Sequence, residues 1–143
     1  MMRIGLDIGG VIIGGDGNDT FFTKDYLYTP EVSLAFSSIR NLAKEHDIFL
    51  VSKAGPLVVQ KTRAWLDDRE FFLWTGIDRD NLVFCRMRRQ KAPIAQLLEL
   101  DLFVDDRKDI CDSMEAVGIP AITFHGWMTT LKKIKEFSLD RVH

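Results

Sequence analysis

Residues 3–12 read RIGLDIGGVI. After Arg3 this run is apolar except for Asp7, and the glycine pair Gly9-Gly10 follows almost at once. Apolar residues that end at a turn signal predict a buried strand followed by a tight turn. Such a strand delivers the Asp7 carboxylate to the carboxyl edge of a sheet, which is where open α/β folds bind their ligands.

The rest of the chain alternates between apolar runs and helical patterns. Strands are predicted over residues 2–8, 47–52, 81–85, 102–104 and 120–124. Helices are predicted over residues 30–45, 57–70, 91–100, 108–117 and 127–137. In the first of these helices, Thr29 is expected as the N-cap and Pro30 as the first helical residue.

Short apolar strands that alternate with helices are typical of a parallel sheet covered on both faces. We therefore predict an α/β, doubly wound, Rossmann-like fold with three layers. The chain has 143 residues and contains no linker or internal repeat. This length suits one domain with its own core, so a single domain is expected over residues 1–143.

Composition and charge favour a cytoplasmic protein. Hydrophobic residues make up 46% of the chain and charged residues 28%, and the formal net charge is -2. This balance gives no indication of charge-driven nucleic-acid binding. No apolar run reaches the roughly 18 residues of a membrane span, so no membrane partner is expected. Cys85 and Cys111 lie in apolar or helical contexts without a leader pattern, which predicts reduced cysteines.

Polar residues stand at several predicted strand ends. Asp7, Ser52 and the pair Asp105-Asp106 end the first, second and fourth strands, and Lys91 starts the helix after the third. A carboxylate can attack phosphorus, while a hydroxyl and an ammonium can hold phosphoryl oxygens. Additional carboxylates suit Mg²⁺, which prefers oxygen ligands. The sequence therefore predicts a phosphoryl-transfer site with Mg²⁺ as cofactor.

The order of these residues resembles the haloacid dehalogenase-like (HAD) superfamily over about residues 2–124. Asp7 matches the nucleophile of the first motif, Ser52 the hydroxyl of the second and Lys91 the lysine of the third. The run that ends in Asp105-Asp106 matches the acidic fourth motif. The resemblance implies a five-stranded parallel sheet in the order 5-4-1-2-3, with Asp7, Ser52 and Lys91 as catalytic residues.

The same resemblance implies two sets of ligands. The metal would be held by Asp7, the backbone carbonyl of Gly9 and the acidic pair, with Asp106 the closer ligand and Asp105 beside it. The substrate would be bound by residues around the strand ends, namely Gly9, Gly10, Ser52, Lys53 and Lys91.

One position departs from the family pattern. Phosphatases of the superfamily usually carry a second aspartate two residues after the nucleophile, where this chain has Gly9. That aspartate supplies general acid–base help, which is typically worth about 10²–10⁴-fold in rate. Two interpretations stay open: a Mg²⁺-dependent phosphoester phosphatase, nucleotidase-like in substrate and working through an aspartyl-phosphate on Asp7, or a catalytically impaired relative that binds a phosphorylated ligand or a protein partner.

The cap that sets substrate choice in this family is minimal here. The first insertion point holds a small flap at about residues 12–29, and the second, residues 86–90, holds a short basic loop. The resemblance implies that such an open site takes a bulky substrate or is covered by a partner subunit. The expected partners are therefore a small phosphorylated substrate or a phosphorylated macromolecule, and a second copy of the chain in a homodimer. The flap aromatics Phe21, Phe22, Tyr26 and Tyr28 either pin the flap to the core or contact such a partner.

A third interpretation comes from residues 7–15, which also resemble the first phosphate loop of sugar-kinase-like ATPases. Those enzymes need two lobes, and this chain has about half their usual length. Nothing later in the sequence resembles a second phosphate loop or an adenosine-binding motif.

Overall fold

The computed structural model describes residues 1–14 and 19–142, and only the backbone of Val142. Its sheet has five parallel strands in the order β3-β2-β1-β4-β5. Read in reverse, this is the predicted order 5-4-1-2-3, which is thereby confirmed. The strands are β1 (Arg3–Leu6), β2 (Asp47–Lys53), β3 (Leu82–Cys85), β4 (Leu102–Asp105) and β5 (Ala121–Thr123).

Helices cover both faces of the sheet. The six α-helices of the described chain are α1 (Ala35–Glu45), α2 (Pro56–Asp68), α3 (Phe71–Thr75), α4 (Lys91–Leu97), α5 (Lys108–Ala116) and α6 (Trp127–Val142). None of the helices within residues 1–14 and 19–142 is long and apolar enough to cross a membrane.

Two apolar clusters show how the layers pack. Along β2, Ile48 and Leu50 join a cluster with residues of α1, α2, α3 and α6, whereas Phe49 and Val51 join a second cluster with residues of α4 and α5. Successive side chains of a strand point to opposite faces, so β2 and β4 each contribute side chains to both clusters. The predicted three-layer α/β architecture is confirmed.

The first helix begins later than the sequence predicts. α1 starts at Ala35, and Pro30 lies in an extended segment whose carbonyl accepts a hydrogen bond from the Gly14 amide. The Val32 amide donates to Ile12, which ties the same segment to the loop after β1. These contacts override the Thr29-Pro30 start signal. The start of α1 is instead stabilised by Glu31, whose side-chain carboxylate accepts a hydrogen bond from the Phe36 amide at 2.9 Å.

Other boundaries differ for local reasons. The helix predicted over 57–70 corresponds to α2 (Pro56–Asp68), and Glu70, which is left-handed with φ 52°, separates it from the short helix α3. The helix predicted over 91–100 ends at Leu97, before the positive φ of Glu99. The basic loop at 86–90 contains a 3₁₀ turn, Arg88–Gln90, and the last helix continues past Phe137. In the predicted flap the structure has two 3₁₀ turns, Thr20–Phe22 and Tyr26–Tyr28; residues 15–18 lie outside the described part.

Candidate active site

Asp7 follows β1 directly, at the carboxyl edge of the sheet. Its amide donates to the Val104 carbonyl at 2.9 Å, which continues the β1–β4 pairing up to the carboxylate. The residue is only 8% exposed. The backbone ladder thus fixes the position of a carboxylate that is largely withdrawn from water.

Lys91, the first residue of α4, joins two of the predicted acids. Its Nζ donates to Asp7 Oδ1 at 2.9 Å and to Asp105 Oδ2 at 2.8 Å. Lys91 is 3% exposed and Asp105 is fully buried. Buried ions of this kind are tolerated only when they are paired and hydrogen-bonded, as these are.

Burial and pairing also set the charges of this cluster. Burial raises the pKa of Asp7 to about 7 from an ordinary value of 3.8; the Lys91 ammonium opposes the rise, and the Asp105 carboxylate adds to it. Burial acts to lower the pKa of Lys91, but the Asp7 and Asp105 carboxylates outweigh it and raise that pKa above its ordinary value. Lys91 is therefore an ammonium at neutral pH.

The two acids at the end of β4 face different environments. Asp105 points inward, where its Oδ1 accepts from the Arg107 amide at 3.0 Å and its Oδ2 accepts from Lys91. Asp106 is exposed and lines the cavity above Asp7. Partial burial raises the pKa of Asp106 above its ordinary value.

The donor set fits a hard divalent cation. Asp7, Asp105 and Asp106 each offer a carboxylate oxygen, and these oxygens lie within 4.8 Å of one another. Ligands on opposite sides of Mg²⁺ lie about 4 Å apart, since Mg–O bonds are about 2.0–2.1 Å long, so a small contraction closes the site. Together with Lys91 the three carboxylates leave a formal charge of two minus, which one divalent cation neutralises.

Gly10 lies beneath the acidic site. Its φ is 79°, a region that side chains with a Cβ rarely adopt, and a Cβ there would collide with the Asp106 carboxylate. At Gly9 a Cβ would meet nothing within 4 Å, and its φ lies outside that region. The backbone and the packing therefore require glycine at position 10 but not at position 9.

We expect Gly10→Ala to lower the free energy of unfolding by about 1–3 kcal/mol, because strained backbone and a displaced Asp106 both add cost. The variant should also weaken Mg²⁺ binding measured by calorimetry. Gly9→Ala is the matched control, and its stability should stay within about 1 kcal/mol of the wild-type value. Equal stability of the two variants would contradict this account of Gly10.

Ser52 and Lys53 end β2, beside the N-terminus of α2. Both line the cavity together with Ala54 and Gly55, and Gly55 caps α2 without a side-chain hydrogen bond. Within the described residues the Ser52 hydroxyl has no hydrogen-bond partner, so it is free to donate to a ligand. Free amides at the start of a helix favour an anion such as a phosphoryl group.

The cavity has a volume of about 470 Å³, within the usual range of about 300–1,000 Å³ for small-molecule sites. It brings together every predicted site residue except Asp105, which lies beneath it; the lining includes Asp7, Gly9, Gly10, Ser52, Lys53, Lys91 and Asp106. It also contains residues to which the sequence assigned no catalytic or binding role, namely Thr29, Val58, Thr62 and Arg107.

The flap is anchored to α2 on one side of this cavity. Lys61 Nζ donates to the Phe21 and Thr23 carbonyls at 3.3 and 3.2 Å, and Trp65 Nε1 donates to the Thr29 carbonyl at 2.9 Å. Phe21 and Phe22 line the cavity, and Phe22 remains 69% exposed. The flap therefore both packs on the core and presents an aromatic wall to the site.

No known family profile and no curated protein matches this sequence. Solved structures do match. The chain superimposes with a TM-score of 0.64 and 13% identity on a chain of the Pnkp1/Rnl/Hen1 complex, and with 0.62 and 13% on a chain of the Pnkp1/Rnl/Hen1 RNA repair complex. In each case 87% of this chain is covered, but it spans less than half of the matched chain, 46% and 42%.

A third match covers most of both chains. The HAD family enzyme BT-2542 from Bacteroides thetaiotaomicron, solved with magnesium and inorganic phosphate, matches with a TM-score of 0.61 and 11% identity over 88% of this chain and 95% of its own. At such identities the likeness concerns the fold. Together with the strand order, it establishes that the chain has the haloacid dehalogenase-like α/β fold.

Proposed function

We propose that this protein is a Mg²⁺-dependent phosphohydrolase in which Asp7 is the nucleophile. The observation that carries the proposal is the ion-paired cluster of Asp7, Lys91 and Asp105 at the base of a cavity. A buried carboxylate that is held by a lysine at a sheet edge is costly for stability, and such groups concentrate at functional sites. The magnesium and phosphate in the complex of BT-2542 support the same chemistry.

Each residue has a role in this proposal. One Asp7 oxygen attacks the phosphorus, while Lys91 orients the other and balances the charge that develops. The free Ser52 hydroxyl and the amides at the start of α2 hold phosphoryl oxygens. Gly10 lets the backbone pass close to Asp106.

Asp7, Asp106 and the Gly9 carbonyl are the proposed ligands of Mg²⁺, with Asp105 behind them. The bound cation would supply positive charge to the phosphoryl oxygens during transfer. Asp105 is already engaged by Lys91 and the Arg107 amide, so we assign it to orienting Lys91 rather than to direct contact with the metal.

Gly9 supports a second candidate function, namely binding of phosphorylated ligands without turnover. The position that carries a general acid in related phosphatases has no side chain, while the remaining cluster is intact. A protein of this kind would bind Mg²⁺ and inorganic phosphate tightly and release no product.

The proposal is tested by phosphate release from chemically diverse phosphate compounds, with Mg²⁺ and with EDTA in excess. We expect release that depends on Mg²⁺ and returns when the metal is added back after chelation. Release that persists unchanged in EDTA would contradict the metal assignment. Tight phosphate binding by calorimetry without release from any compound would favour the binding function.

A further inference from the structure

The described residues that line the cavity offer little general acid catalysis. Among its described lining residues only Asp7 and Asp106 carry a carboxylate, and none carries an imidazole. These two acids are the proposed nucleophile and metal ligand. The remaining ionisable side chains of the described lining are lysines and arginines, whereas a general acid is most often a histidine.

A missing general acid selects the leaving group. An alkoxide leaves phosphorus poorly unless it is protonated, and this is the step that a general acid accelerates by about 10²–10⁴-fold. A phosphate group leaves without that help, because its second pKa of about 6 makes it a stable anion at pH 7. The chemistry of the described cavity therefore favours donors in which phosphate is the leaving group.

The rim of the cavity carries positive charge to receive such a group. Lys53, Arg88 and Arg107 all line it. Arg107 donates hydrogen bonds to both carboxylate oxygens of Asp109 at 3.0 Å. These bonds are the largest cause of the lowered pKa of Asp109, and the positive charge of Arg88 contributes less. Arg88 and Arg107 therefore both contribute positive charge at the edge of the site.

Two of these cations are available to a ligand. Within residues 1–14 and 19–142, Lys53 and Arg88 make no side-chain hydrogen bond or ion pair, whereas Arg107 is held by Asp109. Cations with no carboxylate partner at the mouth of a phosphoryl-transfer site can bind a second anionic group.

We propose, on the basis of the function proposed above, that the substrate is a phosphoanhydride. Its terminal phosphoryl group lies against Asp7, and its second phosphate is bound by Arg88 and Lys53. The reaction balances without a general acid. An Asp7 oxygen bonds to the terminal phosphorus, the bridging P–O bond breaks, and the electron pair leaves on the bridging oxygen of the second phosphate.

Water completes the turnover. It attacks the phosphorus of the aspartyl-phosphate, the bond to Asp7 breaks, and the carboxylate is restored. Inorganic phosphate is released, and the proton of the water passes to solvent. Because no base assists this step from the described cavity, it is the slower of the two.

The test compares leaving groups at pH 7 with saturating Mg²⁺. The probes are inorganic pyrophosphate and ADP as anhydrides, p-nitrophenyl phosphate as an aryl ester, and glycerol 2-phosphate as an alkyl ester. We expect wild-type kcat/KM for the better anhydride to exceed that for the alkyl ester by at least about 100-fold. Pyrophosphate and ADP together tell whether the aromatic wall of the flap adds recognition of a base.

Two variants isolate the cause. Gly9→Asp, for which the space is open, should raise kcat/KM for the alkyl ester by about 10²–10⁴-fold and for the anhydrides by less than about tenfold. Gly9→Ala is its control, with no such gain.

Arg88→Gln should lower the ratio of kcat/KM for the anhydride to kcat/KM for the aryl ester by about tenfold. Arg86 is an exposed neighbour outside the cavity lining, so Arg86→Gln should leave that ratio unchanged.

The outcomes separate this inference from the proposed function. Wild-type hydrolysis of the alkyl ester at a rate similar to the anhydrides, abolished by Asp7→Asn, would overturn the anhydride assignment and leave the phosphohydrolase intact. An unchanged ratio in Arg88→Gln would remove Arg88 from the second subsite and overturn the assignment as stated. Absence of Asp7-dependent release from every probe would overturn both.

Discussion

Asp7→Asn is expected to reduce phosphate release by about 10⁴-fold or more, which is the scale of loss when a nucleophile is removed. Asparagine has nearly the same size, and its Oδ1 can still accept from Lys91 at the position where Asp7 Oδ1 does so at 2.9 Å. The fold and the cavity are therefore retained. The amide nitrogen that replaces the second oxygen cannot form an acyl-phosphate, so the covalent step is lost, and the lost negative charge also weakens the Mg²⁺ site to which Asp7 belongs.

The measurement is steady-state phosphate release with the best donor, combined with trapping of the phosphoenzyme in acid. Asp112→Asn is the control, because Asp112 is an exposed carboxylate that pairs with Lys108 on the surface of α5. Its activity should equal that of the wild type. A variant at position 7 that still accumulates acid-stable phosphoprotein would assign the nucleophile to another residue.

The same variant has an expected effect on stability that depends on pH. The folded-state pKa of Asp7 is raised to about 7 from 3.8, so the folded protein holds this proton more tightly than the unfolded chain. The free energy of unfolding of the wild type therefore falls as pH rises from about 4 to about 7. Asparagine does not titrate. In EDTA, the Tm of Asp7→Asn should exceed that of the wild type by a margin that grows up to pH 7 and is constant above it.

Much of the site was predictable because parallel strands end at a common edge. Asp7, Ser52 and Asp105 each follow an apolar run, and the runs became β1, β2 and β4. In a parallel sheet the carboxyl ends of all strands lie at one edge, so these three side chains are expected to lie near that edge. The order of the strands, by contrast, came from the family resemblance, since apolar runs alone do not say which strands are neighbours.

The division of labour between Asp105 and Asp106 depended on the tertiary structure. Adjacent residues at a strand end point to opposite sides, so the strand pattern indicates that they differ but not which of them faces inward. Only the family resemblance implied that Asp106 is the closer metal ligand. That choice is made by Lys91, which approaches from α4 and engages Asp105 at 2.8 Å. Asp106 is left to line the cavity.

The start of α1 and the place of Arg107 in the cavity rim were missed for a related reason. Thr29-Pro30 is a sound local signal for a helix start, but the hydrogen bond from Gly14 to the Pro30 carbonyl keeps this segment extended. Arg88 and Arg107 come from separate parts of the chain, and they line the same cavity because the 3₁₀ turn before α4 packs against α5. Local patterns carry no information about such encounters.

Lys91→Met is expected to lower the free energy of unfolding by about 3–5 kcal/mol in the absence of divalent metal, the usual cost of removing one partner from a buried ion pair. Methionine fills a similar volume, so the loss is electrostatic. Asp105 is fully buried and Asp7 is nearly so. Water therefore cannot solvate these two carboxylates in place of the missing ammonium. Denaturant unfolding in EDTA measures the effect.

Lys108→Met provides the matched control, because Lys108 also pairs with an aspartate, at 3.0 Å, but its side chain is 81% exposed. That change should cost no more than about 0.5 kcal/mol. Saturating Mg²⁺ should restore part of the stability of Lys91→Met, since a bound cation neutralises the carboxylates that the lysine leaves behind, and should do nothing for Lys108→Met. Equal destabilisation of the two variants would show that Lys91 is not the counterion on which this acidic cluster depends.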